Sequence, residues 1–531
     1  IPSILKESSS APRRRRYHRQ VMAALEALRP IDTESLAYHA LESGDLQKGM
    51  DYSLNAAKKA YRLVALDEAL HHAHQALGVA EELDRADQTI DIYELMGDIH
   101  LLRGDFQACI DALQRSLALV GESHRRVVLN SKIGTAYTWM GDERGLEYLE
   151  AAVREADPQT QTNELANATA GIGRYHHLHG HYRQALSYLH KAHEIAEPLK
   201  DVVVLTSIYT YLAGAYQNLA EYPASIDWSR RSIDLGERVN APFAVAVGYE
   251  FLAEDALVGR WQEALRYAEQ DRSIGARIGA MHRIAWGGFA QSQAYYGLGE
   301  LDKVVEAAQS SLELAEATGD IRLEVLPRGT LALALTDMGN DEAALTAATQ
   351  AQQGGEQLAQ PYIAAGNHAL AYYHALHDDW EMAGELMDAV GAAMQKTDSR
   401  GVPMFYFGFY GLTALKRGDL EKAERIIASN LTLTREAGAE HFEAEALRVQ
   451  AQIRTAQGQR EQARQLFEQA IQIFERLGSH MELGKAYYYL GQAQIEWGET
   501  PSGRESLQRA LQSFQVCNAN YWVTKTLELV G

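Results

Sequence analysis

At 531 residues and 46% hydrophobic content the chain can bury a large core, which excludes global disorder. Lysine and arginine number 50 against 71 aspartates and glutamates, a formal net charge of −21, so no extended binding of nucleic-acid phosphates is expected. The two cysteines, Cys109 and Cys517, lie too far apart in sequence to suggest a disulfide framework or a zinc cluster.

Taken from the N-terminus, the chain begins at Ile1 rather than Met and shows no signal-peptide pattern. Residues 1–16 are expected to be a flexible remnant of an upstream domain. The basic run Arg13–Arg16 with Arg19 reads as an exposed helix start at a domain boundary rather than a nucleic-acid contact. No apolar run reaches the ~18–20 residues that span a bilayer. The expected location is cytoplasmic, with no membrane partner.

Residues 17–84 are helical by pattern, with apolar spacings of three and four in "YHRQVMAALEAL" and "SLAYHALESGDLQKGMDYSLNAAKKAYRL". Gly44–Asp45 marks a turn, yet the next step at Ala69–Leu70 arrives too early for the repeat that follows. One helix over roughly 47–63 is expected to serve two helix pairs at once.

From residue 85 to residue 531 a unit of near 40 residues recurs. Its turn falls at Gly104, Gly141, Gly180, Ala220, Gly259, Gly299, Gly339, Asp378, Gly418, Gly458 and Gly498. A fixed period of this size predicts stacked helix pairs rather than independent domains. Seven residues before the turn stands a small residue, such as Gly97, Gly134, Gly411 or Gly491, and five residues after it another, such as Ala185, Ala423 or Gly503. Small side chains at a crossing let two antiparallel helices approach. Large residues nine past the turn, Leu189, Ile427, Phe467 and Leu507 among them, are expected to fill the adjacent holes. The histidines of "HHLHGHYRQALSYLH" straddle one such turn and point several ways, which argues for packing rather than a metal site.

This pattern, with its Gly–Asp turn and the Ala-Leu step of "GHYRQALSYLHKA" and "GRWQEALRYAEQD", resembles the tetratricopeptide repeat (TPR), lengthened from its typical ~34 residues. The resemblance implies an all-α, right-handed superhelix of about eleven helix pairs over 85–531, preceded by a helical arm at 17–84. The stretches "PRRRRYHRQVMAALEAL" (12–28) and "AYHALESGDLQKGMDYSLNAAKKAYRL" (37–63) resemble the arm of STAND-class signal-transduction ATPases of the maltose-regulator type. In that class the arm joins a nucleotide-binding module to a C-terminal TPR sensor. The implied role is therefore that of an inducer-sensing domain in a bacterial regulator, with ATP or ADP and magnesium bound by an upstream ATPase module in cis. The chain itself has no G-x-x-x-x-G-K-[ST] motif, and neither a cofactor nor catalysis is expected within it. The alternative is a free-standing TPR adaptor that scaffolds protein partners through peptides. Its co-chaperone version is disfavoured, because Glu94 and Asp98 give the first repeat the wrong charge.

In a TPR stack the first helix of each pair lines the concave surface. Positions 13, 10, 6 and 3 before the turn share one helix face. That face gives Tyr249 with Glu250 beside it, Trp286, Phe289, Gln293 and Tyr296, then Tyr372 and Phe405 with Phe409 next to it. These nine residues are the candidate groove, the place for an inducer, small molecule or protein. Nearby Glu254 and Asp255 favour a cationic or polar occupant. Phe407 and Tyr410 fall instead on core positions.

Overall fold

The computed structural model describes residues 10–63, 65–121, 123–156, 162–358 and 362–530. Among these residues the chain is all-helical, with no strand. Residues 1–178 with 191–199 form one compact unit, and 179–190 with 200–531 form a second. The helices run α1 (Ala11–Leu28), α2 (Thr33–Ser43), α3 (Leu46–Arg62), α4 (Leu66–Glu82), α5 (Ala86–Arg103), α6 (Phe106–Leu119), α7 (Ser123–Trp139), α8 (Arg144–Glu155), α9 (Asn163–Leu178) and α10 (Tyr182–Ala196). They continue as α11 (Val202–Asn218), α12 (Tyr222–Arg238), α13 (Pro242–Ala256), α14 (Trp261–Ile278), α15 (Met281–Leu298), α16 (Leu301–Thr318), α17 (Ile321–Met338), α18 (Asp341–Glu356) and α19 (Tyr362–Leu376). The last eight are α20 (Trp380–Met394), α21 (Gly401–Lys416), α22 (Leu420–Ala437), α23 (Glu440–Ala456), α24 (Arg460–Leu477), α25 (His480–Glu496), α26 (Thr500–Val516) and α27 (Asn520–Val530). No described helix is long and apolar enough to cross a membrane.

The repeat dictates this order. All eleven turn positions read from the sequence have positive φ, including Ala220 and Asp378 at 62° each. A residue of positive φ ends the first helix, and at Asp379 and Asp419 the side chain of the following residue caps the second. Asp419 accepts a hydrogen bond from the Lys422 amide at 3.0 Å, and Asp379 one from Met382 at 3.1 Å. The small residues seven before the turn sit against large residues eight or nine after it. A Cβ on Gly97 would stand 2.6 Å from Leu113 Cγ, one on Gly134 2.6 Å from Leu149 Cγ, and one on Gly491 2.8 Å from Leu507 Cγ. Those contacts are closer than carbon atoms tolerate, so the helix crossing is set by the missing side chain. In the first unit α3 occupies the expected single helix near 47–63 and packs against both α2 and α4.

In the second unit the repeats coil until helices five pairs apart meet, and hydrogen bonds sew that seam. Asp398 accepts from the amides of Tyr182 and Arg183, at 2.7 and 3.0 Å, at the start of α10. The Arg400 amide donates to Asn218 O at 2.8 Å, the His441 amide to Val258 O at 3.1 Å, and Trp261 Nε1 to Ser479 Oγ at 3.1 Å. At the C-terminal end Asn518 Nδ2 donates to Asp302 at 2.6 Å. Gly180 and Gly299 lie at this seam, where a Cβ would meet Thr397 Cγ2 at 2.5 Å and Cys517 Sγ at 2.6 Å.

Candidate functional site

The seam turns the first-helix faces of the second unit inward, toward one another. Asp337 of α17 is fully enclosed and accepts three hydrogen bonds: Tyr296 OH at 2.9 Å, Tyr372 OH at 2.6 Å and Trp522 Nε1 at 2.8 Å. Burial raises its pKa against the opposing pull of Lys485 and those donors. Lys485 of α25 lies 5.1 Å from the Tyr372 ring centre and donates to Glu482 at 2.6 Å. Arg448 of α23 donates to the other oxygen of Glu482 at 2.8 Å. Burial works to raise the Glu482 carboxyl, but Lys485 and Arg448 outweigh it and hold the group down at about 2. Four charges of alternating sign are thus locked in one network across α17, α23 and α25.

Aromatic side chains frame that network. His368 stands 5.1 Å from Tyr406 and 5.3 Å from Phe409, and Phe409 is 5.5 Å from Tyr372. Burial pushes His368 down to about 4, so its imidazole is neutral and can both donate and accept.

The nine sequence candidates divide. Tyr296, Tyr372 and Phe409 belong to this group, and Gln293 adjoins it by donating to Thr330 on α17 at 3.0 Å. Tyr249 stacks on Tyr267 of α14 at 6.1 Å. Trp286 meets Phe289 edge-on at 6.0 Å and packs against the Ala285–Ala315–Leu323 cluster, with Phe289 only 7% exposed. Phe405 packs on Phe442 at 4.6 Å and on the Ala256–Leu257–Trp261 cluster, at the seam. Glu250 bonds to Arg283 of α15, away from Asp337. Phe407 and Tyr410 take the core positions expected of them, Tyr410 donating to Asp388 at 2.8 Å.

Sequence reasoning missed Asp337, Arg448, Glu482, Lys485 and Trp522. A signal was present for two of them: Lys485 and Arg448 stand 13 and 10 residues before their turns, on the same face as Trp286 and Phe289. Applying that face to the last two repeats finds them.

Around Glu250 lies a second polar group. Glu254 and Asp255 follow on α13, and Asp271 of α14 comes within 4.0 Å of Arg283 Nη1. Burial raises all three carboxyls, Asp255 to about 7 and Glu254 to about 8.

Comparison with known proteins agrees with this architecture. The tetratricopeptide repeat sequence pattern matches residues 405–476 and 442–515. The fold is that of TPR proteins. The APC/C hetero-tetramer Cut9–Hcn1 contains a similar chain, with TM-score 0.55 and 11% identity, 90% of each chain being covered. A Rap protein complexed with Competence and Sporulation Factor is similar at TM-score 0.50 and 13% identity, over 67% of this chain and 99% of that one. Among curated proteins none matches the chain.

Proposed function

We propose that the second unit is an effector-binding sensor whose inner wall, centred on Asp337 and Lys485, takes a peptide or small effector. The observation that carries this reading is the span of the network: Asp337 bonds Trp522, 185 residues further along the chain. A ligand that competes for Asp337, Glu482 or Lys485 changes contacts between distant repeats, so binding and coil geometry are linked. A simple scaffold surface has no need of such a buried charge network, which is costly to assemble. The Rap protein complexed with Competence and Sporulation Factor, a fold relative, is itself an assembly with a named factor. The arm-like sequence at 12–63 supports the finer reading, in which the sensor governs an upstream STAND ATPase.

A peptide-array screen followed by titration calorimetry tests the binding reading. Hits should lose at least tenfold in affinity, about 1.4 kcal/mol, in Tyr372→Phe and Lys485→Met. Hits indifferent to both substitutions would place the ligand elsewhere. The ATPase reading requires a nucleotide-binding module encoded before Ile1, and a gene lacking one ends it. Cut9–Hcn1, similar over 90% of its chain, favours the second reading, a protein adaptor. Partner capture that persists in Lys485→Met would support that alternative.

A further inference from the structure

In the first unit an open recess lies between the α1–α2 turn and the C-terminal half of α3. Its cavity of about 770 Å³ is lined by Pro30 and Ile31 of the turn and by Arg29, Asn55, Lys59 and Arg62. That volume takes one or two side chains of a partner, and the wall offers apolar surface beside cations. Arg29 is exposed, and its side chain makes no ion pair among the described residues. Arg62 Nε donates to the main-chain oxygen of Lys58 at 3.2 Å and meets no carboxylate among the described residues. Lys59 pairs with Glu34 at 3.3 Å, but both side chains are about half exposed, and such pairs are weak and readily exchanged. Asp32 is turned back on its own helix, accepting from the Ser35 amide at 3.3 Å.

Aliphatic side chains crowd the same place. Among the described residues five large apolar side chains are at least 70% exposed, and three of them are Leu28, Ile31 and Leu63, at 80%, 82% and 70%. Ile31 lines the recess, while Leu28 and Leu63 are the chain neighbours of its two arginines. Exposed leucines scattered singly need no explanation, but three at one cavity point to a covered surface. The three cations also suit the C-terminal ends of α1 and α3, whose carbonyls attract positive charge. Helix electrostatics gives no reason, however, for two such ends and three uncovered aliphatic side chains to meet at one recess.

We propose that this recess docks an acidic segment of a second protein, with one leucine-sized side chain in the cavity and flanking carboxylates on Arg29, Lys59 and Arg62. Charge complementarity argues for that occupant. Residues 10–63 hold ten lysines and arginines against six aspartates and glutamates, whereas the rest of the chain holds 40 against 65. This basic end attracts an acidic segment locally, over the roughly 8–10 Å that physiological salt leaves unscreened. An extended anionic surface, membrane or nucleic acid, is repelled by a molecule of net charge −21. Nucleic acid would also leave the aliphatic rim unused.

Each part of the contact has a physical role. Arg29 and Arg62 each present a planar fork that matches a carboxylate. Lys59 exchanges Glu34 for an incoming carboxylate. Asn55 is exposed on the α3 wall, and its amide can donate to and accept from the main chain of the segment. The anchor side chain leaves water together with Pro30 and Ile31, which supplies the apolar part of the affinity. The site belongs to the first unit and uses neither Asp337 nor Lys485, so the effector reading of the second unit is tested separately.

The test is methyl NMR of the full chain, isotope-labelled at the isoleucine δ1 methyls, with the Ile31 signal assigned through Ile31→Val. The probe is the peptide Ac-Glu-Glu-Leu-Glu-Glu-amide. In about 50 mM salt the Ile31 signal should shift saturably with an apparent Kd of about 1 mM or below, and about 300 mM salt should weaken binding at least threefold. Alanine in place of the leucine of the peptide should weaken it at least about fivefold, as loss of a buried aliphatic anchor does. The double variant Arg29→Gln/Arg62→Gln should weaken it at least about tenfold, while its other isoleucine signals stay in place and show an unchanged fold. An Ile31 signal unmoved by the peptide, or moved equally in the double variant or by the alanine peptide, overturns the proposal. So does a stronger response to pyrophosphate, to a short DNA duplex or to phosphatidylserine vesicles, each of which would assign a different occupant.

Discussion

Lys485 and Glu254 are both ionisable groups inside the second unit, but their surroundings set opposite behaviour. Lys485 is matched by Glu482 at 2.6 Å, and Glu482 also by Arg448 at 2.8 Å. Removing Lys485 leaves a buried carboxylate with one partner, which typically costs about 3–5 kcal/mol. Lys485→Met should lower urea stability by about 3 kcal/mol, and adding Glu482→Gln should recover part of it; additive losses in the double-mutant cycle would show that the pair does not interact. Glu254 has no such match. Its folded pKa stands above the unfolded value, so the folded state binds the extra proton and stability falls as pH rises between the two. The melting temperature should therefore drop from about pH 5 to about pH 8.5, and Glu254→Gln should flatten much of that slope. A slope unchanged in Glu254→Gln would assign the titration to other groups. These residues were only partly legible in the sequence. Lys485 and Arg448 share the helix face read for the middle repeats, but nothing in a linear pattern states that Asp337 and Trp522, 185 residues apart, are hydrogen-bonded.

At the scale of the element, the repeat was legible because its first-to-second-helix turn uses one residue type. Glycine takes the left-handed conformation without cost and holds nine of the eleven turns; an aspartate follows it only at Gly104, Gly141 and Gly418, and of these Asp419 accepts from the Lys422 amide of the next helix. The return turns have the same backbone but were not read, because Lys200, Asn240, Gly279, Gly319, Gly438, Gly478 and Asn518 all adopt positive φ with mixed chemistry. The two exceptions in the read series measure the cost. Asp378 has φ 62° and is exposed, its ion pair with Lys525 stretched to 3.5 Å. An L-residue pays about 1–2 kcal/mol for that conformation, so Asp378→Gly should stabilise the protein by about 0.5–1 kcal/mol after the unfolded-chain entropy is counted. Ala220→Gly should gain less, since its Cβ packs with Val258 and Phe442. The reverse change, Gly418→Ala, should cost about 1 kcal/mol by chemical denaturation. If Asp378→Gly proves destabilising, side-chain contacts outweigh the backbone at that turn.

Across the whole second unit, the seam changes how a repeat protein should unfold. A stack in which each repeat touches only its neighbours behaves as a one-dimensional chain, and it frays from its ends or splits where an interface is weak. Here Asp398, Arg400, His441, Ser479 and Asn518 bond to residues five helix pairs earlier, so a repeat cannot open without breaking contacts on the next turn of the coil. Such long-range ties raise cooperativity more than they raise stability, because each is one hydrogen bond worth roughly 1 kcal/mol. Asp398→Ala removes the cap on the Tyr182 and Arg183 amides, and Trp522→Phe removes one donor to Asp337 while keeping an aromatic ring. Each alone should lower stability by about 1–2 kcal/mol. Together they should broaden the urea transition, lowering its apparent m-value, and hydrogen exchange should then show repeats opening separately. A pair of variants that shifts the midpoint with the m-value unchanged would mean that nearest-neighbour packing alone carries the cooperativity. The same experiment bears on sensing, because an effector held at the inner wall can report its presence only through repeats that move together.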